Sequence, residues 1–142
     1  MMTFDIRPIS DLDEMVKQLP LLQLLTADLT ESTCRNMLEA MTQAGYQMIG
    51  VFDGERCVGL SGIWIGTKLY SGKYLEIDNF VTHPDYRSKG IGQLLVRHIE
   101  QMAIQHHCKC IMLDAYTTNT AAHKFYLREG FVIKGFHFIK AL

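Results

Sequence analysis

Residues 80–92 read Phe-Val-Thr-His-Pro-Asp-Tyr-Arg-Ser-Lys-Gly-Ile-Gly, where a β-rich run turns at a proline and opens a segment of helical periodicity. The first N–H groups of a helix converge on one point, and the helix dipole adds partial positive charge there. Gly90 and Gly92 let a ligand approach the backbone. Arg87 and Lys89 add mobile positive charge. The stretch therefore predicts an anion site, which a pyrophosphate would suit.

Other phosphate-binding motifs fit this stretch less well. Gly90-Ile91-Gly92 continues into Gln93 and Leu94, so the third glycine of a dinucleotide fingerprint is missing, and no GxxxxGK[ST] motif occurs. The competing interpretation is that the glycines only form a turn and that the basic side chains are solvated.

The hydrophobic pattern predicts ten elements in the order βααβββαβαβ. We expect Ser10 to cap the first helix and Gly45 to end the second, while residues 21–29 are apolar but ambiguous. Asp53-Gly54 and Ser71-Gly72 predict turns between three antiparallel strands. The predicted strands are 3–9, 47–52, 57–65, 75–81, 111–115 and 131–139, and the later helices begin near Ile91 and cover 120–129.

Composition narrows the class of protein. A chain of 142 residues with 48% hydrophobic content fits one domain, 1–142. With 14 basic and 15 acidic side chains, the formal net charge of -1 predicts no nucleic-acid partner. The start lacks a secretory pattern, and the apolar stretches are too short for a membrane span. We expect a cytoplasmic protein with four reduced cysteines and no membrane partner, and a homodimer is compatible with the sequence.

A second motif carries a family resemblance. Asn119 is followed by small residues, by Phe125-Tyr126 and by Gly130-Phe131. Residues 87–92 match the pattern (Arg/Gln)-x-x-Gly-x-(Gly/Ala), with Ser88 where many relatives have Gly. With both motifs, the sequence resembles the GNAT superfamily of N-acetyltransferases from about residue 4 to 142. The resemblance implies an α/β (α+β) fold with a mixed, mostly antiparallel central sheet and helices on both faces.

The resemblance also implies a reaction and a cofactor site. An amine would attack the thioester of acetyl-CoA, the co-substrate, directly in a ternary complex. The acceptor would be a small-molecule or peptide amine, whose identity the sequence leaves open. In this family the strand before the loop separates from its neighbour and offers main-chain groups to the cofactor arm. The implied cofactor-binding residues are Phe80, Val81, Thr82, Arg87, Ser88, Lys89, Gly90, Ile91, Gly92 and Asn119.

Three side chains are candidates for catalysis. A protonated amine cannot attack, so a carboxylate is the natural proton acceptor. Glu76 and Asp78 lie two apart on one strand and therefore share a face, with Glu76 the leading candidate. Both carboxylates could instead face solvent or hold a cationic substrate. Tyr126 matches the family tyrosine that protonates the departing thiolate, although it could be a core aromatic, and Asn119 could be only a helix N-cap.

Two further predictions concern metal binding and enzymatic function. Residues 106–110 read His-His-Cys-Lys-Cys, but they lead into a strand whose alternate side chains diverge, so we predict no metal site and a buried Cys110. The alternative to an enzyme is a catalytically silent acyl-CoA-binding module. The presence of Tyr126 and a strand carboxylate beside the cofactor loop favours the enzyme.

Overall fold

The computed structural model describes residues 3–142 and arranges them in two compact units, one ending at Met112 and the other covering Leu113–Leu142. The first unit contains the sheet and four helices, and the second contains one helix. The strands are β1 (Asp5–Pro8), β2 (Gln47–Asp53), β3 (Arg56–Lys68), β4 (Gly72–Thr82) and β5 (Cys110–Met112). The helices are α1 (Leu12–Val16), α2 (Leu19–Leu22), α3 (Glu31–Gln43), α4 (Ile91–Gln105) and α5 (Thr120–Arg128), and a 3-10 turn spans Pro84–Tyr86.

The sheet has the order β1-β2-β3-β4-β5. The first four strands are antiparallel to their neighbours, and only β4 and β5 are parallel. Gly54 and Gly72 adopt φ values of 62° and 73° in the two hairpin turns, the left-handed backbone that glycine tolerates best. The predicted mixed, mostly antiparallel sheet is confirmed.

Helices cover both faces of the sheet. Gly59 and Gly62, three apart on β3, point to opposite sides. A Cβ on Gly59 would contact Ile91 and Leu95 of α4, whereas a Cβ on Gly62 would contact Tyr46. The Tyr46 side shares its apolar cluster with buried residues of α1, α2 and α3. This burial of apolar surface on both faces holds the first unit together.

Several predicted boundaries differ from the structure. Asp11, not Ser10, caps α1, because its side chain accepts a hydrogen bond from the backbone N–H of Asp13. Only the first two residues of the ambiguous stretch 21–29 are helical, and they end the short helix α2, which has Pro20 in its first turn. β5 covers three residues rather than 111–115, and Cys110 within it is half-buried rather than buried.

The predicted closing strand 131–139 is wrong, so the observed order is βαααβββαβα. Residues 131–142 have no strand pairing, although their apolar alternation is typical of one. Phe136 and Phe138 are 83% and 91% exposed, and Val132, Ile133 and Ile139 are also exposed. Alternation of apolar residues indicates only which side chains would share one face of a strand. A strand also needs a neighbouring strand for its backbone hydrogen bonds.

Candidate functional site

Residues 87–92, the predicted anion loop, lead into α4, and no side chain caps the N-terminus of that helix. We call these residues the phosphate loop. Gly90 occupies the N-cap position with φ of 81° and provides no side chain to cap the first N–H groups of the helix. Ser88 also adopts a left-handed conformation, with φ of 61°. Arg87, Ser88, Lys89 and Gly90 are exposed. Uncapped N–H groups beside two cationic side chains can bind an anion such as a diphosphate.

β4 extends beyond its pairing with β5. The parallel ladder joins Tyr74 to Cys110 and ends where Glu76 pairs with Met112. β5 itself ends at Met112, whereas β4 continues to Thr82. This longer part of β4 includes Phe80, Val81 and Thr82, the strand residues that the resemblance implied for the cofactor arm.

A β-bulge interrupts the other edge of β4. Asp78 pairs with Gly62 and Val81 pairs with Leu60, so two residues of β4, Asn79 and Phe80, lie opposite one residue of β3. Asn79 adopts φ of 60°, which few residues other than glycine tolerate. The bulge therefore changes the direction of the β4 backbone just before the phosphate loop.

Tyr46 holds the bulge in place. Nδ2 of Asn79 donates a hydrogen bond of 3.1 Å to the Tyr46 hydroxyl, and Tyr46 is only 3% exposed. Burial raises the pKa of Tyr46 to about 12, so its hydroxyl is neutral at physiological pH. Neither residue was among the site residues that the sequence motifs indicated. An asparagine inside a β-rich run was the available signal, since asparagine adopts positive φ more readily than most residues.

The two candidate carboxylates differ in their surroundings. Both are half-buried, and Glu76 lies directly opposite Trp64 in the β3–β4 ladder. Asp78 Oδ2 accepts a hydrogen bond of 2.9 Å from Trp64 Nε1. Trp64 also packs on Tyr46, with 5.3 Å between ring centroids. Glu76 and Asp78 lie on one face of β4, as predicted, and the structure places the ring of Trp64 beside them.

The second unit contains the other predicted site residues. Asn119 caps α5 by accepting a hydrogen bond of 3.2 Å from the backbone N–H of Ala122. Tyr126 contacts Phe125 and Phe131 edge-on, at centroid distances of 5.3 and 5.5 Å. Burial raises the pKa of Tyr126 to about 12, which keeps the phenol protonated at neutral pH. Asn119 is therefore an N-cap, and Tyr126 is both packed and able to donate a proton.

Metal-ligand clusters and membrane-spanning helices are both absent from residues 3–142. No group of three or more His, Cys, Asp or Glu side chains that could hold a metal ion occurs in this part of the chain. All four cysteines are free thiols. None of the helices described between residues 3 and 142 has the length and apolar character needed to cross a bilayer.

The fold and the sequence together define an acetyltransferase of the GNAT type. The chain matches the Acetyltransferase (GNAT) family over residues 16–131 and belongs to that family. It is 26% identical to the uncharacterized N-acetyltransferase YhdJ of Bacillus subtilis over 130 residues, 90% of this chain and 92% of that protein. It is 33% identical over 86 residues to the aminoalkylphosphonate N-acetyltransferase of Salmonella typhimurium, 60% of this chain and 56% of the relative.

A solved structure has the same fold. The GNAT family acetyltransferase from Staphylococcus aureus superposes with a TM-score of 0.80 at 24% sequence identity, covering 99% of this chain and all of that one. The family and its N-acetyltransferase members identify this protein as an acetyltransferase.

Proposed function

We propose that this protein transfers the acetyl group of acetyl-CoA to a primary amine by direct attack in a ternary complex. The observation that carries this proposal is that β4 leads directly into the exposed phosphate loop and the N-terminus of α4, which no side chain caps. An extended thioester arm would lie along the end of β4 while its diphosphate binds at the phosphate loop. In this proposal residues 1–142 form one acetyltransferase domain that acts in the cytoplasm and forms a monomer or a homodimer.

The cofactor contacts follow from the geometry of the first unit. The backbone of Phe80, Val81 and Thr82 would bind the pantetheine arm and the thioester carbonyl. Arg87, Ser88, Lys89, Gly90, Ile91 and Gly92 would surround the diphosphate, with Asn119 contacting the arm. The two positive φ values in the loop, at Ser88 and Gly90, support this proposal because they let successive N–H groups turn toward one anion.

The chemical step needs a proton acceptor and a proton donor. Glu76 would take a proton from the ammonium, directly or through water, so that the amine can form a C–N bond with the thioester carbonyl. The nitrogen then loses a second proton to solvent, the C–S bond breaks, and Tyr126 would protonate the thiolate and regain its own proton from solvent. Asp78 would serve mainly to hold Trp64, since one of its oxygens already accepts the indole hydrogen bond.

The acceptor class is tested by a panel of amines. Glu76, Asp78 and Trp64 line one face, which suits a cationic group. An aminoalkylphosphonate belongs on the panel because of the similarity to the Salmonella enzyme. An amino sugar, a diamine, an amino acid and a peptide N-terminus complete it. We expect release of free CoA above the amine-free blank, together with a product heavier by one acetyl group.

The alternative function is a silent acyl-CoA-binding module. It requires the phosphate loop but not Glu76 or Tyr126. Acetyl-CoA binding by calorimetry, combined with no CoA release for any amine class, would favour the module over the enzyme.

A further inference from the structure

The turn between β2 and β3, residues 53–56, contacts the segment that leads into the phosphate loop. The Tyr86 hydroxyl donates a hydrogen bond of 2.7 Å to Oδ2 of Asp53. The backbone N–H of His83 also bonds to the carbonyl of Val58 on β3, at 2.8 Å. Two points of the segment 83–86 are therefore tied to the same hairpin, 33 positions away in the case of Tyr86.

Tyr86 is the centre of these contacts. Its ring meets Phe4 and His83 edge-on, with centroids 6.1 and 5.9 Å away. The guanidinium carbon of Arg56 and the ammonium nitrogen of Lys89 each lie 5.5 Å from the ring centroid. The Tyr86 ring therefore contacts both Arg56 of the hairpin and Lys89 of the phosphate loop.

His83 makes a weaker contribution to this arrangement. Its Nδ1 accepts a hydrogen bond from the N–H of Asp85, and its Nε2 lies 3.0 Å from a guanidinium nitrogen of Arg56. A neutral imidazole has only one accepting nitrogen, so it can satisfy one of these two donors at a time. The hydrogen bond between Tyr86 and Asp53 therefore holds the segment in place more strongly than the His83 side chain does.

The phosphate loop needs such a tie. Its residues 87–90 are exposed, and two of them adopt left-handed backbone conformations. An exposed turn with positive φ at a serine has many competing conformations, and ordering it costs affinity when a ligand binds. Tyr86 immediately precedes Arg87, so fixing its ring limits where the loop can begin.

We propose that Asp53 and Tyr86 are a positioning pair for the cofactor, which order the phosphate loop before CoA binds. This inference rests on the proposed function only in taking CoA as the ligand of that loop. The pair touches no reacting atom, so it should affect affinity for CoA and acetyl-CoA but not the chemical step.

The test is a double-mutant cycle read by calorimetry with CoA. Tyr86→Phe keeps the ring and removes the hydroxyl, and it should weaken CoA binding about fivefold to tenfold, the range expected from one net hydrogen bond. Asp53→Ala should have a similar effect, and the double variant should be no weaker than either single one. Asp53→Asn retains an acceptor oxygen and should restore most of the affinity.

The matched control is Tyr74→Phe, which removes a hydroxyl from a half-buried tyrosine near the opposite end of β4. It should leave CoA affinity unchanged. In steady-state kinetics Tyr86→Phe should raise the KM for acetyl-CoA and keep kcat within about twofold. If Asp53→Ala impairs folding, the CoA affinities of Tyr86→Phe and Tyr74→Phe are sufficient to test the positioning role.

Three outcomes are informative. CoA affinity within about twofold of wild type in Tyr86→Phe and Asp53→Ala, or independent effects that multiply in the double variant, would overturn the positioning role. Coupled losses of CoA affinity in a protein that acetylates no amine would support the pair while refuting the proposed transfer. A wild-type protein that does not bind CoA would refute both.

Discussion

The indole N–H of Trp64 donates a 2.9 Å hydrogen bond to Oδ2 of Asp78 and thereby ties β3 to β4 on the face that carries Glu76. One oxygen of Asp78 is thus committed to a neighbouring side chain. The two carboxylates share a face but are not equivalent, and this difference separates their expected roles in catalysis.

Glu76→Gln should lower kcat by about 10²–10⁴ at neutral pH, because the ammonium then lacks its proton acceptor. Asp78→Asn should have a smaller effect, since an amide oxygen can still accept from Trp64. The defect of Glu76→Gln should shrink as pH rises toward about 10.4, where an alkylamine loses its own proton. The control is Glu100→Gln on the exposed part of α4. Wild-type turnover and pH profile in Glu76→Gln would assign the proton transfer to Asp78 or to solvent.

Gly90→Asp should weaken CoA binding strongly, whereas Gly90→Asn should weaken it less. Both side chains have nearly the same shape, and both residues tolerate positive φ better than most, so only the charge differs. No atom lies within 4 Å of a Cβ at this position, so neither substitution meets a clash in the folded protein. Calorimetry with CoA measures the difference. Equal affinity in two folded variants would exclude phosphates from this turn.

Tyr126→Phe should reduce kcat by about 10²–10⁴ while acetyl-CoA affinity and thermal stability change little. Phenylalanine preserves the ring contacts with Phe125 and Phe131 and removes only the proton donor. The pKa of about 12 keeps wild-type Tyr126 protonated across pH 6–10, so its ionisation should contribute no fall in rate over that range. A kcat within twofold of wild type, with chemistry rate-limiting, would leave Tyr126 as a packing residue.

Gly62→Ala should destabilise the protein by about 1–3 kcal/mol. A Cβ at this position would collide with the buried Tyr46 ring and would lie 2.6 Å from the backbone oxygen of Asp78, and a backbone atom cannot move aside cheaply. The control is Gly135→Ala, where no atom lies within 4 Å of the added carbon and the change should stay within about 0.5 kcal/mol. Urea unfolding measures both. An equal free energy of unfolding for the two variants would show that the Tyr46 side chain moves aside without destabilising the protein.

Most of the first unit could be predicted from local patterns. The hairpin turns at Gly54 and Gly72, the helix that ends before Gly45 and the helix that opens at Ile91 all appear where the pattern indicated. Each depends on periodicity or on a backbone conformation encoded within a few neighbouring residues. The phosphate loop belongs to this class, because a strand, a turn and a helix start are consecutive in the chain.

The closing strand shows the limit of local patterns. Residues 131–139 alternate as a strand does, yet no partner in the described chain pairs with them. Conversely, β5 is only three residues long and is held by its parallel pairing with β4. Strand pairing is a long-range event, so alternation alone does not determine it.

By itself the sequence determined the family, the mostly antiparallel sheet and the position of the turn that opens α4, since these follow from short motifs and from periods of two and 3.6 residues. Only the tertiary structure decided which side chains meet: Trp64 with Asp78, Tyr46 with Asn79, and Tyr86 with Asp53. These partners are 14, 33 and 33 positions apart. They meet because the β3–β4 register, the bulge at Asn79 and the β2–β3 turn bring them together, and no local pattern encodes those three features.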